Sequence, residues 1–322
     1  MTTPERGHIQ LRFETLMDLA AHGPDTYVGT GPSYPWGGLY GGQIVAQALR
    51  AADLTVRPGY HPNSLHAYFL RFGDPGEPVR FEVERLRDGQ TFAARQVVAR
   101  QSTGAILNMS ASFQAEGSPT MDVQLSHPPA ASTPEESDDV SWSPLFELRV
   151  VRALGGAVGL EPAGAAQAAG RSQPAAGPER VDEPGRHRFG GALDAGGGMQ
   201  AARSWFRVPD NLGPRPAVHA AALAYASDSG PAWVVWELHN GQCSPDQPWR
   251  PVSLDHAMWF HRPFRADDWL LFEVSSGSLH DSRGLTQGRV FSREGTLVAT
   301  VVQEVFLRRP KANLAPLSEP RS

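Results

Sequence analysis

At 322 residues the chain is long enough for two domains of ordinary size, and 40% hydrophobic residues suffice to build their cores. A formal charge of −5 excludes the basic surface that a nucleic-acid binder needs. Cys243 is the sole cysteine, which excludes an intramolecular disulfide and a thiolate metal cluster.

The opening Met1-Thr-Thr-Pro-Glu-Arg6 lacks the apolar stretch of a secretory signal, and no run of about 18 apolar residues is present to span a bilayer. The expectation is a cytoplasmic protein with neither a membrane nor a nucleic-acid partner. Lys311 is the only lysine. Arginine's planar fork suits phosphate recognition, but a GC-rich coding sequence is the simpler explanation of the bias.

Taken in chain order, Gly41-Gly-Gln-Ile-Val-Ala-Gln-Ala-Leu-Arg-Ala-Ala52 reads as a helix, with glycines at its start and a stripe of Ile44, Ala48 and Ala51/Ala52. Strands are expected at about 64–72, 79–86, 91–101 and 104–114, from their Val, Phe and alternating residues. Residues 152–200 break the pattern. Pro162-Ala-Gly-Ala-Ala-Gln-Ala-Ala-Gly170 and Gly196-Gly-Gly198 bury little apolar area for the backbone entropy they would lose. Beyond them Trp205-Phe-Arg-Val208 reads as a strand, and Pro216-Ala-Val-His-Ala-Ala-Ala-Leu-Ala-Tyr-Ala226 as a helix opened by proline. Strands follow at about 252–262, 269–276, 283–292 and 296–308. The division expected is an N-terminal unit over 1–118, a linker over 119–200, a C-terminal unit over 201–312 and a tail over 313–322.

The two units repeat a set of landmarks. His66-Ala-Tyr-Phe-Leu-Arg71, Phe81-Glu-Val83, Gly104 and Gln114 recur as His256-Ala-Met-Trp-Phe-His-Arg262, Phe272-Glu-Val274, Gly295 and Gln303. The interval from Phe81 to Gln114 is 33 residues and that from Phe272 to Gln303 is 31. Matching order and spacing mark an internal duplication. Each unit is one helix wrapped by an antiparallel sheet, an α+β arrangement, and two such sheets can join edge to edge.

Several polar residues stand out from this frame. Along Leu297, Ala299, Val301, Gln303, Val305 and Leu307 one amide interrupts an apolar strand face. A buried amide without partners costs about 1–3 kcal/mol, so Gln303 is bonded either structurally or within a site. Asp228 follows the alanine-rich helix in line with Ala221 and Ala224, where the helix dipole raises a carboxyl pKa. Ser227-Asp-Ser-Gly230 is also an ordinary turn sequence. Ser253 begins a strand, and the chain has no Gly-x-Ser-x-Gly elbow, which argues against a covalent serine route.

His256 and His261, five apart on a strand, point to opposite faces and cannot share a metal. Each reads as a satisfied strand histidine, and no metal site is expected. The first half offers Asp53, Ser64 and Gln114. Ser64 lies two residues before its histidine and Ser253 three, a slip that turns a strand side chain over. Gln114 also shares its face with the polar Asn108, Ser110 and Ser112, so the first half reads as a degenerate copy. Gly41 and Gly42 either present N–H groups to an anion or carbonyl oxygen, or allow close packing.

The longer motifs carry a resemblance. Gly41-Gly-Gln-Ile-Val-Ala-Gln-Ala-Leu49, His66-Ala-Tyr-Phe-Leu-Arg-Phe-Gly-Asp74, Arg85-Leu-Arg-Asp-Gly89 and Met109-Ser-Ala-Ser-Phe-Gln114 are similar to the acyl-CoA thioesterase II family. So are Tyr225-Ala-Ser-Asp228, Ser253-Leu-Asp-His-Ala-Met-Trp-Phe-His-Arg-Pro-Phe264 and Val302-Gln-Glu304. The likeness spans residues 20–116 and 203–309. It implies a double hotdog, two antiparallel sheets each wrapping a central helix, that hydrolyses fatty acyl-CoA without a covalent intermediate. It puts the water-holding Asp, Ser and Gln at Asp228, Ser253 and Gln303, with acyl-CoA as substrate, no cofactor and a homo-oligomeric assembly. The chain departs from the family after Asp228, in Ser229-Gly-Pro-Ala-Trp-Val-Val-Trp-Glu-Leu-His-Asn240, which bears on the acyl-chain tunnel more than on the chemistry. Two other readings stay open: a hotdog dehydratase or hydratase, for which no histidine–carboxylate motif is visible near either helix, and a non-catalytic acyl-CoA binder.

Overall fold

The computed structural model describes residues 11–34, 36–117, 121–151, 191–192, 201–239 and 250–308. A one-turn helix α1 (Phe13–Leu16) and the short strands β1 (Ala20–Ala21) and β2 (Thr26–Gly29) precede the long helix α2 (Gly41–Asp53). Strands β3 (Tyr60–Phe69), β4 (Val79–Asp88), β5 (Phe92–Gln101) and β6 (Gly104–Ala115) follow it. Between the halves lie β7 (Asp138–Asp139), β8 (Glu147–Val150) and β9 (Gly191–Ala192). The second half runs β10 (Ala201–Arg207), α3 (Pro216–Ser227), α4 (Pro231–His239), β11 (Arg250–Ser253) and β12 (Asp255–Phe260), then β13 (Leu270–His280), β14 (Arg283–Ser292) and β15 (Leu297–Arg308).

The eight strands expected after the two long helices are all present, within a few residues at each end, with 252–262 divided into β11 and β12. Three features were not expected. Helix α4 opens at Pro231, whose fixed φ suits a first helical residue. Strands β7 and β8 fall between the halves, and β8 pairs with β10 at the edge of the second half. At the N-terminal edge, β1 and β2 extend the first half beyond β4.

The two sheets are one. Their order is β1-β2-β4-β5-β6-β3 followed by β12-β15-β14-β13-β10-β8-β7, every pair antiparallel, so the inner edge strands β3 and β12 close each other's open hydrogen bonds. Under this sheet α2 and α3 pack side by side, and the core is shared by both halves. Ala46, Ala48, Ala51 and Ala52 on α2 and Ala220, Ala221 and Ala224 on α3 are buried, and their small size lets the two helices approach. The approach is tight at the start of α2. A Cβ on Gly42 would fall 2.2 Å from the Tyr225 carbonyl oxygen of α3, so only glycine fits. No helix among the described residues is long and apolar enough to cross a membrane.

Candidate active site

The tight meeting of the two helices at Gly42 lies beside a cluster of polar side chains. Asp228 caps the C-terminus of α3 (φ −76°, ψ −10°), Ser253 ends β11, and Gln303 sits in the middle of β15. Gln303 is fully buried, flanked along its face by buried Val301 and Val305, as the alternation of that strand implied. Its amide nitrogen donates to Ser253 Oγ at 2.5 Å and to Asp228 Oδ1 at 3.1 Å, while Ser253 Oγ lies 3.5 Å from the same carboxylate oxygen. The fold thus brings Asp228, Ser253 and Gln303 together from three separate elements.

The other carboxylate oxygen, Asp228 Oδ2, accepts the backbone N–H of Gly42 at 2.8 Å. The start of α2 therefore points its positive end at this carboxylate. A Cβ on Gly41 would lie 2.6 Å from Oδ2, so the contact needs glycine there as well. Both functions weighed for these glycines are in use, with Asp228 as the anion that Gly42 serves.

Burial pushes the Asp228 pKa up to about 7, against the pull of the hydrogen bonds from Gln303, Gly42 and Ser253. The rise was expected from the α3 dipole, but desolvation is its leading cause. Rings crowd this helix end. Tyr40 donates to the Tyr225 carbonyl at 2.7 Å, and Trp142 Nε1 donates to Ser229 Oγ at 3.0 Å with its ring centroid 5.1 Å from Tyr40.

One further residue reaches the cluster. His256 is fully buried on β12, opposite Gln303, with Nδ1 2.6 Å from Gln303 Oε1 and Nε2 3.0 Å from Ser227 Oγ. Burial pushes its pKa down to about 4, so the ring is neutral near pH 7. Its inward-facing position was the available sequence signal; the partner, 47 residues away, was not. His261 bonds Thr300 Oγ1 at 2.8 Å instead.

Residues 183–306 match the family model described as acyl-CoA thioesterase, and residues 30–114 match that of the acyl-CoA thioesterase N-terminal domain. Human acyl-coenzyme A thioesterase 8 is 34% identical over 303 residues, covering 91% of this chain and 88% of the human protein. This chain belongs to the acyl-CoA thioesterase II family. The crystal structure of an acyl-CoA thioesterase II from Mycobacterium marinum is similar at 33% identity and a TM-score of 0.69, covering 93% of this chain and 99% of that one. A hot dog fold protein from Alicyclobacillus acidocaldarius, 17% identical with a TM-score of 0.66, covers 92% of this chain and 98% of its own and shares the fold. The thioesterase is a double hotdog and an acyl-CoA thioester hydrolase.

Within the thioesterase, strand register shows what occupies the matching positions of the first half. Phe81 pairs with Ala99 as Phe272 pairs with Val290, and Val97 pairs with Met109 as Gly288 pairs with Val301. Two residues on, Ala111 therefore matches Gln303. Ala111 pairs with Leu65, as Gln303 faces His256, and Phe113 pairs with Pro62 as Val305 pairs with Ser253. The first-half counterparts are Ala111, Leu65 and Pro62, not Gln114, His66 and Ser64. Gln114 and His66 are both exposed on the outward face. Asp53 alone keeps a match: 41 to 53 and 216 to 228 are both twelve residues from a helix start.

Proposed function

We propose that this thioesterase converts fatty acyl-CoA to free fatty acid and CoA by direct attack of a water molecule held between Asp228, Ser253 and Gln303. The observation that carries the reading is the Gln303 amide, bonded at once to Ser253 Oγ and Asp228 Oδ1. A water oxygen attacks the thioester carbonyl carbon as its proton passes to Asp228. The tetrahedral oxyanion then collapses, the carbon–sulfur bond breaks, and the proton on Asp228 passes to the departing sulfur. CoA is substrate and product.

The pKa of Asp228, about 7, suits both transfers. It lies well above an ordinary carboxylate and below a free thiol near 8.5, so the group takes a proton from activated water and returns it to a thiolate. Ser253 accepts from Gln303, which leaves its own O–H to donate to the water or to Asp228.

Purified protein should release free thiol from saturated acyl-CoA and leave enoyl-CoA unhydrated. Asp228→Asn keeps the shape and removes the base, so kcat should fall about 10²–10⁴-fold while KM moves less. A wild-type rate in a variant with an unchanged melting curve overturns the mechanism.

A further inference from the structure

We infer that Ser227 and His256 are a positioning pair that dictates which way the Gln303 amide faces. The inference rests on the water-holding reading above. It begins from the near-symmetry of a carboxamide, whose oxygen and NH2 ends have almost the same shape. Flipped about its last bond, Gln303 would present its carbonyl oxygen to Asp228 Oδ1, acceptor against carboxylate, and would no longer donate to Ser253. Only a donor at the far end of the amide selects the productive orientation.

His256 Nδ1, 2.6 Å from Gln303 Oε1, is that donor when the ring carries its proton there. A neutral imidazole has a single N–H, so something must reserve Nε2 as the acceptor. The Ser227 hydroxyl lies 3.0 Å from Nε2, whereas its other acceptors, the Ala224 carbonyl oxygen and Met258 Sδ, are 3.3 Å and 3.4 Å away. The bonds then run in one direction. Ser227 donates to His256 Nε2, His256 Nδ1 donates to Gln303 Oε1, and the Gln303 NH2 donates to Asp228 and Ser253. Ser227, His256 and Gln303 are each fully buried, where such a chain is strengthened and an unpaired member is costly.

The first half supplies the internal control. Leu65 and Ala111 occupy the positions of His256 and Gln303 on the same sheet, and both are buried in the apolar core. The fold therefore builds this row without polar groups, and the polar version in the second half needs a functional explanation. Near pH 7 the ring keeps one proton, since burial holds it neutral. Among the described residues Tyr40, beside the start of α2, is the titratable group that interacts with Asp228, and burial keeps it protonated.

The test compares His256→Leu, His256→Asn, Ser227→Ala and Gln303→Ala for kcat, KM and the acid limb of the pH profile. Leucine fills the site without a donor, so kcat should fall about tenfold or more with KM within about twofold. The acid limb should move to higher pH, because the Gln303 bond that lowers the Asp228 pKa is lost. Asparagine places its Nδ2 where Nδ1 stood, so His256→Asn should recover most of the loss. Ser227→Ala frees the tautomer and should give a smaller loss with the same direction of shift. Folded His256→Leu with wild-type kcat and limb overturns the inference. Should His256→Leu not fold, Ser227→Ala decides, and a wild-type profile there is equally fatal. If Gln303→Ala is itself silent, the water-holding reading fails instead.

Discussion

Asp53 and Asp228 occupy the same place in two copies of one fold, twelve residues from the start of a buried helix, yet they live in opposite electrostatic company. Asp53 bonds Arg50 at 2.6 Å and lies 3.5 Å from Arg215. Asp228 pairs with no arginine among the described residues. It is held by an amide, a backbone N–H and, at longer range, a hydroxyl, all of them neutral. Burial raises both pKa values, but at Asp53 the two guanidinium groups oppose the rise. Position at a helix end thus supplies only a desolvated carboxyl. Neutral donors in place of counter-charge are what leave it basic enough to take a proton.

The largest effect expected from this comparison separates the two glutamines. Gln303→Ala should lower turnover at least about tenfold, since it removes the donor shared by Asp228 and Ser253. Gln114→Ala, on an exposed outward position, should leave steady-state thiol release unchanged. Equal damage from both, in folded protein, would mean that the first half contributes to the site.

A smaller effect sharpens the electrostatic contrast. The folded-state pKa of Asp228 stands near 7, above the ordinary 3.8 of an unfolded chain, so folding holds on to a proton. Its contribution to stability is full below about pH 3.8 and is lost as pH rises through about 7. Asp228→Asn cannot ionise and escapes that loss. Melting curves at pH 5 and pH 8 should therefore show the variant gaining on wild type at the higher pH. A gap independent of pH would show that the carboxylate is better compensated than its neutral partners allow.

Much of this was legible from residue patterns, and the exceptions have physical causes. The helices starting at Gly41 and Pro216 and the strands after them follow from local periodicity and proline chemistry, which act over a few residues. Gln303 was visible because it interrupts an alternating apolar strand. Asp228 and Ser253, read alone, fitted ordinary turn and strand-start roles as well as catalytic ones, and only the family resemblance singled them out. The pairing of halves through His66 and Gln114 failed because motif matching ignores register. Register sets Leu65, not His66, at the place of His256, and Ala111, not Gln114, at that of Gln303, and an odd number of residues of slip turns a side chain to the other face. The His256–Gln303 contact spans two strands, and no local rule reaches it.

The smallest effect is expected at Asp53, and it bears most directly on the comparison. Asp53→Asn removes a charge that burial disfavours and two arginines partly compensate, so the two consequences offset each other. Its raised pKa has the same sign as that of Asp228, with stability lost as pH rises through the folded value, so asparagine relieves a penalty at neutral pH. Against this, Arg50 loses its partner while largely enclosed. Arg215, well exposed, returns to water at little cost, as surface pairs are worth about 0–1 kcal/mol. The net change in melting temperature should be a few degrees at most, with a weaker pH dependence than that of Asp228→Asn. Turnover should stay within about twofold of wild type, because the first-half positions that match Gln303, His256 and Ser253 hold Ala111, Leu65 and Pro62, none of which has a side chain that can hold a water. A drop in kcat of the size expected for Asp228→Asn, with KM and melting unchanged, would mean that Asp53 acts on substrate despite its arginines. Counter-charge would then not be what distinguishes the working half from its copy.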